Sequence, residues 1–258
     1  MIDSASKKAF AELGCTYQPI ALKFCFARPE GIPQAEEVLS FCQFLKLCQD
    51  KDESFYIDVD NDNCHGRLAL GMLPKQPFAA SGQAGMDFGI YRTQAPNARI
   101  HNEMPTLVQG SVNFVIFCPL SKCEFDPDLI IVVADTEQAD IVMRATSYIS
   151  GDFWESRQSA VLSCSWTYVY PYLSGKVNHT VTGLHHGMAR RKVYPKGLHI
   201  ISIPYQKIDE VCIALKEMPW KLPALQEDEE NKALMASRMA RWVEMEKANG
   251  GKIPPINV

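Results

Sequence analysis

Leu129-Ile-Ile-Val-Val-Ala-Asp-Thr-Glu-Gln138 decides how the rest of the chain is read. Six apolar residues, four of them β-branched, run up to Asp135, with Gln138 at the spacing of a helix capping box. A buried strand therefore passes directly into a helix, which is expected to reach about Ser150 and stop at Gly151. Residues 112–118 form a second buried strand of the same kind. Residues 19–26 alternate, placing Ile20, Leu22, Phe24 and Phe26 on one face of a half-buried strand. Residues 54–59 and 198–203 read as further strands. Residues 2–13 predict a short helix with Asp3 or Ser4 as its cap and Gly14 as its stop. Val38, Phe41, Cys42, Leu45 and Cys48 recur on one helical face, and residues 208–218 are amphipathic.

Strands alternating with helices predict an α/β or α+β fold. The expected layout is a single domain over residues 1–222, with a mixed sheet flanked by helices. A helical extension follows at residues 223–258. In it Met235, Met239, Trp242 and Met245 fall at helical spacing, the pattern of a docked core helix. Residues 75–110 hold four of the 15 glycines and three of the 16 prolines and show no period, so a long loop with one short element is expected. Such a loop is placed to cover a site. Residues 159–172 fit either a strand or a helix.

Composition narrows the function classes. The 258 residues are 47% hydrophobic, and 26 basic against 30 acidic residues leave a net charge of −4, so disorder is excluded as the main state. The lack of excess positive charge argues against nucleic acid as a partner. No apolar run reaches the ~20 residues of a membrane span, and residues 1–10 lack a signal-peptide pattern. A cytoplasmic location and no membrane partner are expected.

Nine cysteines stand out. They are too few for a disulfide scaffold and odd in number, and in a reducing compartment they stay free, bind metal or do redox chemistry. Cys15, Cys25 and Cys212 sit in or beside apolar patterns and read as core. Cys118 and Cys123 have four residues between them and no partner pair, so zinc spacing is not met. Cys48 shares the helical face of Cys42. Cys64 differs, because it follows the polar loop Asp60-Asn-Asp-Asn63 and precedes Gly66 where a helix would begin. A thiol at a helix N-terminus has its thiolate stabilised. The loop's Asp58-x-Asp-x-Asp62 is not a calcium loop, since an EF-hand would need Gly at position 63 and Glu at 69, and the chain has Asn63 and Ala69. Adjacent His185 and His186 cannot both point into one site from an extended backbone. Arg190, Arg191 and Lys192 carry charges suited to an anion. No Walker loop, GxSxG, GxGxxG or HExxH motif is present.

Several phrases in order are more specific than any one: Pro19-Ile-Ala-Leu-Lys-Phe24, Arg28-Pro-Glu-Gly-Ile-Pro33, Cys64-His-Gly66 with Ala69-Leu-Gly71, Phe125-Asp-Pro-Asp-Leu129 and Pro171-Tyr-Leu-Ser-Gly-Lys176. Together they resemble the domain of unknown function 169 family, found largely in archaea and anaerobic bacteria, over about residues 10–217. The family name assigns no activity. In that family cysteines recur at positions matching Cys42, Cys64 and Cys164, and again just before a glycine near residue 187. At that last position this chain offers His185 or His186. The resemblance thus implies three thiols and one imidazole gathered as a metal site, suited to an iron–sulfur cluster such as [4Fe–4S], or to zinc.

Three functions follow as expectations. The first is an iron–sulfur or other metal-binding protein with a redox or electron-transfer role, served by a redox partner protein or a small-molecule ligand. The second is an anion-binding protein in which residues 75–110 and Arg190, Arg191 and Lys192 close over a small molecule. The third is an enzyme using Cys64 as nucleophile with His65, His185 or His186 as base.

Overall fold

The computed structural model of the chain describes residues 2–252. Its internal contacts divide it into Met1–Lys216 and Glu217–Val258. The first unit opens with α1 (Ser4–Glu12), capped by Asp3, whose carboxylate accepts from the Ser6 amide. Then come β1 (Tyr17–Cys25), α2 (Phe41–Lys51), β2 (Phe55–Ile57) and the single turn α3 (Gly66–Ala69). The short helices α4 (Pro77–Ser81) and α5 (Gln83–Asp87) and the longer α6 (Gln94–Glu103) precede β3 (Phe114–Pro119) and β4 (Leu129–Ala134). After α7 (Thr136–Ala145) the chain forms one π-helical turn, Ser165–Val169, running into α8 (Tyr170–Ser174). The unit closes with β5 (Asn178–Val181), α9 (His186–Arg190), β6 (His199–Pro204) and α10 (Tyr205–Glu217).

The six strands lie in the order β2-β3-β1-β4-β6-β5. Every ladder is antiparallel, where a mixed sheet was expected; parallel pairing is confined to the isolated bridges Gln34–Tyr56 and Leu39–Asp62. All six residues of β4 are buried, as their apolar run requires of a strand covered on both faces. β1 is buried through Ile20, Ala21 and Leu22, but Phe26 lies beyond its end and is exposed, against expectation. Pro19, which cannot donate to a ladder, falls where the β1–β4 register shifts between Tyr17 and Ile20.

One face of the sheet, through Leu22, Phe55, Phe117, Ile131 and Ile200, forms a single cluster with Phe41 and Leu45 of α2 and Tyr168 of the π turn. Phe117 is its hub, stacked on Phe55 at 5.5 Å and tilted against Phe41 at 5.0 Å. Such pairs contribute roughly 0.5–1.5 kcal/mol each beyond area burial. The alternate residues Ala21, Ile130, Val132 and Ile201 face the other way and are equally buried. There α7 packs on β4 and β6, and α1 packs on β1.

Asp135 caps α7 as its spacing predicted, accepting from the Gln138 amide at 2.9 Å. The helix ends at Ala145, short of the expected Ser150, because the Thr146 and Ser147 hydroxyls bond back to the carbonyls of Met143 and Arg144. Residues 75–110 are no loop: α4, α5 and α6 occupy most of them. In the second unit α11 (Glu229–Ala248) is capped by Asp228. No residue of α11 is buried, so Met239, Trp242 and Met245 are exposed rather than core. Among the described residues no helix is long and apolar enough to cross a membrane.

At the β5–β6 edge, His179 and His199 are diagonal neighbours whose stacked rings share a hydrogen bond of 2.7 Å, Nε2 to Nδ1. Burial, then the His199 charge, lowers the His179 pKa. A histidine depressed in the folded state adds stability that is present above its unfolded pKa, about 6.5, and is lost as pH falls through the folded value. Thermal melts should therefore show Tm falling between pH 7 and pH 5. His179→Gln, which keeps a hydrogen-bonding group there, should flatten that fall. An unchanged slope would remove the pair from the account.

Candidate functional site

The turn after β2 is fixed by its own polar side chains. Asn61 donates from Nδ2 to the carbonyls of Ala35 and Glu37 at 3.0 and 2.9 Å, and its Oδ1 accepts from the Asp58 amide at 3.1 Å. Asp62 is fully buried, and its Oδ1 accepts from the Cys64 amide at 2.8 Å. The acidic stretch is thus a hydrogen-bonded turn, and its product is the placement of Cys64. The helix expected after Cys64 exists only as the four residues of α3, starting two positions on. Four residues sum too few peptide dipoles to stabilise a thiolate as a longer helix would.

Cys42 comes from the first turn of α2. Its N-cap Ser40 donates its hydroxyl to Gln43 Oε1 at 2.7 Å and lies 3.3 Å from Cys42 Sγ. Cys164 arrives just before the π turn, a geometry that recurs at functional sites. Two residues earlier Leu162 sits at φ +60°, strained backbone for a branched side chain. Its segment is held by the His186 amide, which donates to Ala160 O at 2.7 Å, and by His185 Nδ1 at 2.9 Å from Ser159 O.

Gly66 is where these segments meet. A Cβ there would stand 2.6 Å from Asp62 Oδ2, 2.9 Å from Phe41 Cβ and 3.3 Å from Cys164 Sγ. The missing side chain is what lets the Cys64 turn lie against both the start of α2 and the Cys164 segment. As a result Cys42, Cys64 and Cys164 line one cavity of about 240 Å³. His186, Arg190 and Arg191 line it as well. His185, the other imidazole weighed from sequence, is buried outside that lining. The remaining cysteines are elsewhere; Cys118, for instance, accepts from Ser54 Oγ at 3.1 Å at the end of β3.

Burial pushes the Cys42 thiol up to about 11, opposed by the Ser40 hydroxyl. Cys164 is raised further, first by burial and then by Cys42 and Cys64, with the Arg191 charge acting against the rise. Both are protonated near neutral pH. Burial also lowers the His65 pKa and brings His101 to about 4, so these imidazoles are neutral and have a ring nitrogen free to accept or ligate. Among the described residues no group of three or more His, Cys, Asp or Glu side chains is arranged to hold a metal ion.

Sequence reading passed over Asn97 and His101, which α6 brings to the same cavity. Their signal was present, since two polar residues four apart share a helix face. It was hidden because the stretch around them carried no period.

The DUF169 family model, described as Uncharacterised ArCR, matches residues 11–213. That span contains every residue of the cavity and stops short of α11. An uncharacterised protein of Methanocaldococcus jannaschii is 20% identical over 191 residues, covering 73% of this chain and 81% of its own. No solved structure matches the chain.

Proposed function

The chain belongs to the DUF169 family, and we propose that it is a thiolate-ligated metalloprotein with a redox or electron-transfer role, holding an iron–sulfur cluster on Cys42, Cys64 and Cys164. The observation that carries this reading is the convergence of three thiols, from segments far apart in sequence, on the cavity wall beside Gly66. Buried thiolates are costly without a counter-charge, and metal binding that releases their protons supplies one. Arg191 assists, because its charge favours the ionised forms of Cys42 and Cys164.

Three thiols and an imidazole are donors of the kind that hold an iron–sulfur cluster. Zinc holds its sulfurs at about 2.3 Å and forces the ligating thiolates together. No group among the described residues has that arrangement. A cluster spreads its thiolates over several irons. Bound there, it would supply one-electron chemistry. His186 is the fourth donor in this reading, since it lines the cavity and His185 does not; the Nε2 of each is buried without a partner, and His185 also braces the Cys164 segment through Ser159. A reducing, cytoplasmic setting belongs to the same proposal.

Anaerobic purification should give brown protein with iron and acid-labile sulfide in comparable amounts. Protein that is colourless, and still takes up no iron when offered iron and sulfide, would sink the reading. His186→Ala should change the visible and electron paramagnetic resonance spectra. His185→Ala should lower Tm while leaving the spectrum of the remaining folded protein unchanged. The reverse pattern would move the fourth ligand to His185.

A further inference from the structure

The cavity is lined by polar residues besides the thiols and His186. Asn97 and His101 sit one turn apart on α6, 2% and 5% exposed, and both line the cavity. Asn97 Nδ2 is occupied, donating to Gly82 O at 3.1 Å, but Oδ1 is buried without a partner, as is His101 Nδ1. Gly85 packs so closely that a Cβ there would stand 2.4 Å from Asn97 Cγ, so the amide cannot turn away. A buried acceptor held this rigidly calls for a donor from something that enters the cavity.

Charge says what else the entrant carries. Arg190 and Arg191 line the cavity, and no Asp or Glu does. Of the two, Arg191 is the one whose charge acts on Cys42 and Cys164. Arg190 is exposed at the wall and is left to pair with an incoming anion, for which a guanidinium offers a two-pronged hydrogen-bonding edge. Phe88, Ile90 and Met188 add apolar lining, with the Phe88 ring stacked on His186 at 5.6 Å.

We propose that the cavity binds a small carboxylic acid that also bears a hydroxyl or amino donor, its carboxylate on Arg190 and its donor on Asn97 Oδ1. The proposal deepens the cluster reading and rests on it for what shares the cavity: with a cluster held on the same lining, the site would be one for chemistry on a ligand rather than electron relay alone. Binding itself needs only this chain's own residues.

Isothermal titration of the full-length, anaerobically purified chain with DL-lactate, propionate and inorganic phosphate tests it, with iron measured on the same samples. Lactate should bind at least about tenfold more tightly than propionate, because a buried acceptor built for a ligand hydroxyl penalises the analogue that lacks one. Phosphate should bind more weakly than lactate. Asn97→Leu should erase the preference for lactate, and Arg190→Ala should weaken both carboxylates about tenfold or more. Equal affinity for lactate and propionate, a preference for phosphate, or no binding at millimolar concentration overturns the proposal, and the wild-type comparison alone decides this if a variant fails to fold. Iron-replete protein that binds no carboxylate sinks this inference and leaves the cluster standing. Lactate selectivity in protein that takes up no iron supports the ligand site and removes the cluster.

Discussion

Cys164→Ser is expected to abolish iron binding while leaving the domain folded. Cys164 is buried, and its sulfur lies 3.3 Å from where a Gly66 side chain would begin, at the junction of all three segments. A serine hydroxyl is close to the thiol in shape but is a hard, weakly acidic oxygen that does not replace a thiolate on iron. Substitutions that only touch the partners of metal ligands already cost about 10–100-fold in affinity. Loss of a ligand should exceed that, leaving iron near background after desalting. Burying the new hydroxyl costs about 1–3 kcal/mol if it finds no partner, which is within the reserve of most domains. Cys42→Ser and Cys64→Ser should behave alike, whereas Cys212→Ser, outside the cavity lining, should keep wild-type iron. Iron content with circular dichroism on the same samples reads both halves. If all three site variants keep full iron, these thiols hold no cluster.

How much could be read in advance depends on the range of the interaction behind each feature. The run 129–134 and the Asp135–Gln138 cap are local, and both form as predicted. Sheet order is not local. Nothing in the sequence places β1 between β3 and β4, since that follows from long-range pairing of Leu22 with both Phe117 and Leu129. Residues 75–110 failed for another reason: α4 and α5 are five residues each, barely longer than one 3.6-residue period, and Gly82 at φ +79° breaks the chain between them. Cys64 stands out in the sequence by its own setting, Cys42 and Cys164 only through the family resemblance, and the geometry supplies a physical reason for their nearness in the form of Gly66. Asn97 and His101 went unseen because a polar pair on a helix face looks like surface until something covers it. The stripe on α11 misled in the opposite direction, for helical spacing of Met and Trp reports amphipathicity and not burial.

Gly66→Ala should disable the site by adding a single methyl group. Gly66 does not have a positive φ, so alanine suits its backbone and only room is lacking. The new methyl would meet Asp62 Oδ2 at 2.6 Å and Phe41 Cβ at 2.9 Å. Neither neighbour yields cheaply. Asp62 is pinned through Oδ1 to the Cys64 amide at 2.8 Å, and Phe41 is wedged between Phe117 and Tyr168 at 5.0 and 4.6 Å. The strain relaxes most easily by moving the 62–66 turn outward, carrying Cys64 away from Cys42 and Cys164. Overpacking of this kind costs about 1–3 kcal/mol, and at roughly 2–4 °C per kcal/mol for a domain of this size Tm should fall by several degrees. Gly89→Ala is the matched comparison: at φ +68° it is strained, yet a Cβ there meets nothing within 4 Å. Its cost of about 1–2 kcal/mol overlaps that of Gly66→Ala, but it leaves the thiols where they are. Equal loss of stability in the two variants, with iron uptake lost only in Gly66→Ala, would tie the site to the contact between the turn, the start of α2 and Cys164. Iron uptake surviving in Gly66→Ala, with Tm lowered as expected, would mean that metal binding does not depend on this contact.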